Sequence, residues 1–118
     1  MINKISTKFK HILDSRFKNI EIACINPKYA YDYANKVLKR QFLLGESTIA
    51  QSATYSYLYA KDILNGPFLL GEETISKSAY CSYWYVVNVL KAPFPLGELS
   101  ISKSDLYKEK YEQFLNRF

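Results

Sequence analysis

Ser52-Ala53-Thr54-Tyr55-Ser56-Tyr57-Leu58-Tyr59-Ala60-Lys61-Asp62-Ile63-Leu64-Asn65-Gly66-Pro67-Phe68-Leu69-Leu70-Gly71-Glu72-Glu73-Thr74-Ile75-Ser76-Lys77 decides the fold, because its pattern occurs three times. Placed between Asn26 to Gln51 and Ser78 to Lys103, it aligns with both over 26 residues without a gap. Tyr33, Tyr59 and Tyr85 share a column that Tyr111 continues. Leu38, Leu64 and Leu90 share a second column, and Phe42, Phe68 and Phe94 a third. The most regular block is Leu-Gly-Glu at 44–46, 70–72 and 96–98, followed by Ile49, Ile75 or Ile101. Self-similarity at such a period is the signature of repeat architectures, in which one unit cannot bury its apolar face alone and uses its neighbours.

The ends are atypical, as the ends of an array are expected to be. A partial copy opens at Ser104 and supplies Tyr107, Tyr111 and Leu115 in register before the chain ends at Phe118. Ahead of the first full copy, Ile12-Leu13, Phe17 and Glu21 reproduce the second half of the unit with one residue deleted. The reading is a single domain, 1–118. It consists of a degenerate half repeat over 1–25, full repeats over 26–51, 52–77 and 78–103, and a C-terminal capping helix over 104–118.

Within a unit the first column holds Asn26, Ser52, Ser78 or Ser104, whose side chains accept from the free amides of a starting helix. Pro27 stands at the first helical position, where a missing N–H costs nothing. The pattern predicts long helices over 27–39, 53–65 and 79–91. Gly66 is read as the left-handed residue that ends the second of them, with Pro67 and Pro93 forbidding continuation. Arg40 and Ala92 occupy the Gly66 column and leave the geometry of those two turns open.

On the first long helix, Tyr29, Tyr33 and Val37 fall together with Ala30 beside them. Ala34, Leu38 and Tyr31 widen the apolar arc to about 200°, enough for contact on two sides. The second element, Gly45 to Ala50 and its copies, reads as a short helix with glutamate in its first turn, where the helix dipole favours it. Ile49, Ile75 and Ile101 are its inward anchors, and Phe42, Phe68 and Phe94 plug the connecting turn. The predicted fold is all-α, a helical-repeat solenoid of long-short helix pairs with a 26-residue period and with the superhelix hand open.

The pattern Tyr-x-Tyr-Ala-x-x-Val/Ile-Leu-x-Gly-x-Phe-x-x-Gly-Glu-x-x-Ile, carried best by Tyr57 to Glu72, resembles the tandem repeats of bacteriophage and bacterial hypothetical proteins. The resemblance covers the chain from about residue 12. It implies a phage-type chain and attaches no catalytic residue or cofactor to it.

Composition is that of a globular chain, with 23% charged and 48% apolar residues and a net charge of +5. Eleven tyrosines, seven phenylalanines and one tryptophan exceed what a core of this size needs. No secretory signal pattern is visible, and the longest apolar run, Tyr83 to Val87, is too short to span a bilayer. The chain is therefore read as cytoplasmic, without a membrane partner. Cys24 and Cys81 form neither a zinc motif nor a disulfide framework and are read as small buried hydrophobes.

Glu46, Glu72 and Glu98 are the tempting carboxylates, but one per unit in the same position points to a dipole or turn-closing role. His11 is the only histidine and has no acid and nucleophile grouped with it. Ser52, Ser78 and Ser104 read as caps, and no nucleophile elbow, phosphate loop or dinucleotide fingerprint is present. The chain is read as no enzyme, with no metal, no cofactor and no small-molecule ligand.

Tyr31, Tyr57 and Tyr83 lie about 160° from the central tyrosine column. One reading makes them an exposed ladder, interleaved with Lys36, Lys61 and Lys91, that stacks single-stranded bases. The other has the rings cover the neighbouring short helix with only the hydroxyl in water. The third unit differs. Where the first helix has Asp32 and Asn35, it has Trp84 and Val87, so 79–91 is apolar nearly all round. Trp84, Val87, Tyr80 and Tyr83, with Tyr57 and Tyr31, are the candidate partner-binding residues. The structural alternative is that the N-terminal segment covers that face. The leading reading is a protein–protein interaction module directed at a host or defence protein, with self-association drawing on the same patch. The alternatives are a single-stranded nucleic-acid binder and a structural homo-oligomer or virion component.

Overall fold

The computed structural model describes residues 19–117, and the expectations placed on His11, Ile12-Leu13 and Phe17 fall outside them. All regular structure among the described residues is helical. Residues 19–23 are helical and lead into α1 (Pro27–Asp32), α2 (Glu46–Ile49), α3 (Ala53–Tyr59), α4 (Glu72–Ile75), α5 (Ala79–Tyr85), α6 (Glu98–Ser102) and α7 (Asp105–Leu115). The helices α1, α3 and α5 run on without a break into π-helical turns, Tyr33–Leu38, Ala60–Leu64 and Val86–Leu90. Each long helix thus covers the predicted stretch to within one residue.

The predicted caps are formed. Asn26, Ser52, Ser78 and Ser104 accept from the amides of Tyr29, Tyr55, Cys81 and Tyr107 at 2.9–3.3 Å. At the other end the glycine assignment needs correction. The left-handed residue is the one before the Gly66 column: Lys39, Asn65 and Lys91 have φ of 54°, 51° and 52°, and no glycine has positive φ. The widened last turn is the cause, because the amides of these residues reach back five positions, to Ala34, Ala60 and Val86. Asparagine tolerates that conformation better than lysine does. Arg40 and Ala92 consequently occupy ordinary backbone.

After the cap the chain crosses to a 3-10 turn, Leu43–Gly45, Leu69–Gly71 or Pro95–Gly97, and enters the short helix. Successive long helices pack side by side, and each short helix packs against the long helix of its own unit and also touches the one that follows. The molecule measures 63 × 22 × 20 Å with a radius of gyration of 18.3 Å, well above the roughly 13 Å of a compact chain of this size. The core is consequently a strip. It holds Ala30, Ala34, Phe42 and Ile49, then Tyr59, Ala60, Phe68 and Ile75, then Tyr85, Val86, Phe94 and Ile101, closed by Tyr111.

Two polar links cross from α3 and from α5 to the turn and short helix before each, and one from α7. The Tyr59 hydroxyl donates to Glu46 Oε2 at 2.6 Å and accepts from the Phe42 amide at 2.9 Å. Tyr85 does the same with Glu72 and Phe68, at 2.6 and 3.0 Å. Tyr111 repeats it with Glu98 and Phe94, at 2.5 and 3.2 Å. Ser56 and Ser82, both fully buried, donate to the carbonyls of Ile49 and Ile75 at 3.1 and 2.9 Å.

Those serines also explain the glycines. A Cβ on Gly71 would stand 2.6 Å from Ser56 Oγ and 2.7 Å from the Phe68 ring, and one on Gly97 meets Ser82 and Phe94 in the same way. Glycine is needed here for close approach, since its φ is negative. Two apolar expectations shift as well. Tyr29 and Val37 are 46% and 63% exposed, although their column mates Tyr55, Cys81, Ile63 and Val89 pack in or against the core. In α3 and α5 that side meets the preceding long helix, whereas on α1 it borders a cavity of about 400 Å³ lined by Ile22, Ala23, Tyr29, Tyr33 and Val37 among others.

The terminal helix is built differently on its outer side. Lys108, Glu109 and Glu112 stand in the columns of Ser82, Tyr83 and Val86, and all three are exposed. Charge in these columns suits a side of α7 that no other described helix covers.

Tyr85→Phe leaves the buried Phe68 amide unpaired and should lower unfolding free energy by about 1–3 kcal/mol in urea titrations. Gly71→Ala should cost a similar ~1–3 kcal/mol through overpacking. Gly66→Ala, whose Cβ meets only the Leu64 carbonyl at 3.9 Å, should be neutral or stabilise by up to ~1 kcal/mol. Burial first, and the bond to the carboxylate second, raise the hydroxyl pKa of Tyr59, Tyr85 and Tyr111, the last to about 12. A raised folded-state value means stability present below pH ~10 and lost as pH climbs through the folded value. Chemical denaturation at pH 9 to 12 should therefore show falling stability, accompanied by late tyrosinate absorbance.

Candidate interaction surface

The sequence singled out Tyr31, Tyr57, Tyr80, Tyr83, Trp84 and Val87, and the structure separates them into two groups. Tyr31 and Tyr57 are 8% and 7% exposed. The Tyr31 hydroxyl donates to Asp62 Oδ2 at 2.7 Å, and Asn88 Nδ2 donates to the Tyr57 hydroxyl at 2.7 Å. Each ring is therefore clamped between neighbouring long helices, and Tyr31 also packs on Tyr55 with centroids 5.7 Å apart. Neither offers a face on which a base could stack, which corrects the exposed-ladder reading for these two.

Tyr80, Tyr83 and Trp84 stay together on α5 and gain Tyr107 from α7. Tyr83 stands 5.0 Å from Trp84 and 5.4 Å from Tyr107, centroid to centroid, and Tyr80 stands 5.9 Å from Tyr107 and 6.4 Å from Trp84. Tyr80 is 55% exposed, whereas Tyr83, Trp84 and Val87 are half-buried. The terminal helix thus covers part of this face and leaves one edge of an aromatic cluster in water. The position corresponding to Asp62 and Asn88 is here Phe114, so the polar clamp of the first two tyrosines gives way to ring packing at the third.

Among the described residues a further set of exposed apolar side chains lies elsewhere, at the 3-10 turns. Leu43, Leu44, Leu69, Leu70 and Leu96 leave 56–76% of their surface in water, and Leu99 follows one turn on at 69%. Their exposure follows from the turn. Phe42, Phe68 and Phe94 point inward, with their amides held by the tyrosine hydroxyls. Gly45, Gly71 and Gly97 press against the core, so the two residues between can only face out. The turn Leu69–Gly71 packs beside α2 and Pro95–Gly97 beside α4, so the leucines form a row along the long axis. Two adjacent apolar columns in a tight turn were the sequence signal for this row, since both cannot point inward at once.

Chemistry at the carboxylates is structural. Glu46, Glu72 and Glu98 each accept from a tyrosine, and Glu46 also accepts from Gln41 Nε2 at 3.0 Å. Among the described residues no group of three histidine, cysteine or acidic side chains could hold a metal ion, and both cysteines are free. No described helix is long and apolar enough to cross a membrane. The positive charge is uneven: Lys4, Lys8, Lys10, Arg16 and Lys18 against Asp14 carry four of the five net charges. Residues 19–118 are therefore close to neutral.

Comparison with protein-family models, curated proteins and solved structures finds no match to this chain.

Since the leucine side chains contribute little to the core, Leu44→Ser/Leu70→Ser/Leu96→Ser should change unfolding free energy by no more than about 0.5 kcal/mol per site. Urea titration monitored by helical circular dichroism measures it.

Proposed function

We propose that the chain is a helical-repeat solenoid of long-short helix pairs with a 26-residue period, acting as a protein–protein interaction module. The observation that carries this reading is the row of exposed leucines. An apolar stretch repeated at each turn without serving the core is a surface kept for contact. The reading is supported further by the carboxylates, whose positions are accounted for by their bonds to tyrosine, and by the polar stitching that makes the scaffold stiff. Recognition by such a surface relies on preorganised shape. A role as an inhibitor of a host or defence protein is the form of this reading that the resemblance to phage repeats implies.

The aromatic edge at Tyr80 and Trp84 is the second contact candidate. Nucleic-acid binding is the weaker reading, because Tyr31 and Tyr57 are buried and residues 19–118 carry little net charge.

Pull-down from cells of the native host should recover a partner with the wild-type chain. Leu44→Ser/Leu70→Ser/Leu96→Ser should lose it, while Trp84→Ala/Val87→Ser retains it. Equal recovery with all three proteins would remove the leucine row from the proposal. Salt-sensitive binding to single-stranded oligonucleotides would favour the alternative.

A further inference from the structure

Taking the leucine row as an interaction surface, we infer that it pairs with the same row of a second copy of this chain. Successive turns are neighbours, because Leu69–Gly71 and Pro95–Gly97 each pack beside the short helix of the preceding unit. Six leucines leaving 56–76% of their surface in water amount to several hundred Å², at the upper end of what a monomer exposes. That approaches the roughly 800 Å² each partner contributes to a standard interface.

Spacing points to self-pairing. Leu43-Leu44, Leu69-Leu70 and Pro95-Leu96 are separated by one and the same structural step, set by the packing of successive units. A second copy carries the identical step and meets the row without accumulating mismatch. The middle pair, Leu69-Leu70, faces itself whichever way the two rows run, as a two-fold contact requires.

The charges around the row agree. Within five residues of the turns lie Lys39, Arg40 and Lys91, and also Glu46, Glu72, Glu73 and Glu98. Ion pairs among the described residues are made by Lys28, Lys36 and Lys61 with Asp32 or Asp62, which leaves Lys39, Arg40 and Lys91 without one. A rim holding both signs in near balance complements its own copy, whereas a partner of a single sign meets repulsion along half of it.

Light scattering on the full chain after size exclusion tests this. The wild type should run at twice the 13.7 kDa chain mass. Leu44→Ser/Leu70→Ser/Leu96→Ser should run at the single-chain mass with unchanged helical circular dichroism. Trp84→Ala/Val87→Ser should remain double. Leu70→Cys should form an intermolecular disulfide under mild oxidation that the parent, with only Cys24 and Cys81, does not form. A wild type of single-chain mass at its solubility limit overturns the proposal, and so does a dimer that survives the leucine substitutions or is lost with Trp84→Ala/Val87→Ser. A monomeric wild type whose leucine variant still loses a host partner refutes self-pairing alone and leaves the interaction reading standing. If neither mass nor partner recovery responds to the leucines, both fall.

Discussion

A tyrosine hydroxyl shared between a backbone amide and a carboxylate is the interaction on which the rest of this structure depends. The turn after each long helix takes the chain through the core at Phe42, Phe68 and Phe94, which are 3–4% exposed, so each of their amides needs a partner that the turn itself does not supply. The next unit supplies it with a ring that fills the core and a hydroxyl that ends at the amide. The glutamate completes the arrangement by accepting a hydrogen bond from the hydroxyl, which leaves the phenolic oxygen's lone pairs free to accept from the amide. Because donor and acceptor belong to consecutive units, none of the three phenylalanine amides is satisfied by its own unit. Stability is therefore expected to be a property of the row of units more than of any one of them.

This constraint propagates outward. Once the phenylalanine is fixed inward and the glycine three residues later is pressed onto a serine or a ring, the pair between them is forced to the surface. The exposed leucines are thus a geometric consequence of the core, but their apolar character is not. A polar pair would satisfy the same turn. The second unit shows how complete the device is: Ser56 is bound to Ile49 of the unit before and blocks any side chain at Gly71 of its own, so a single hydroxyl sets both the inter-unit contact and the height of the turn.

The inner helices and α7 treat the same columns in opposite ways. In the inner helices, Ser56 and Ser82, Tyr57, and Ala60 and Val86 are buried against a neighbour. In α7 their places are taken by Lys108, Glu109 and Glu112, and desolvating those charges against another unit would be costly. Tyr83 marks the transition. It keeps the ring of Tyr31 and Tyr57 and exchanges their polar clamp for an aromatic cluster with Tyr107, and it is more exposed than either of them.

Much of the local structure was legible in the residues. Cap serines, helix lengths and inward isoleucines and phenylalanines follow from hydrogen-bonding groups and periodicities that act over a few residues, and a 26-residue register made each visible three times. What distance in the chain separates, only the tertiary structure decided. The bond from Tyr59 to Glu46 spans 13 residues and the clamp from Tyr31 to Asp62 spans 31, so a helical wheel could place those tyrosines on an arc but not say what met them. The left-handed residue fell on Asn65 and not on Gly66 because the last turn widened by one residue. The leucine row, finally, needed the packed turn: its two columns are plainly apolar in the sequence, and only the pinned phenylalanine and the crowded glycine on either side show that they face water.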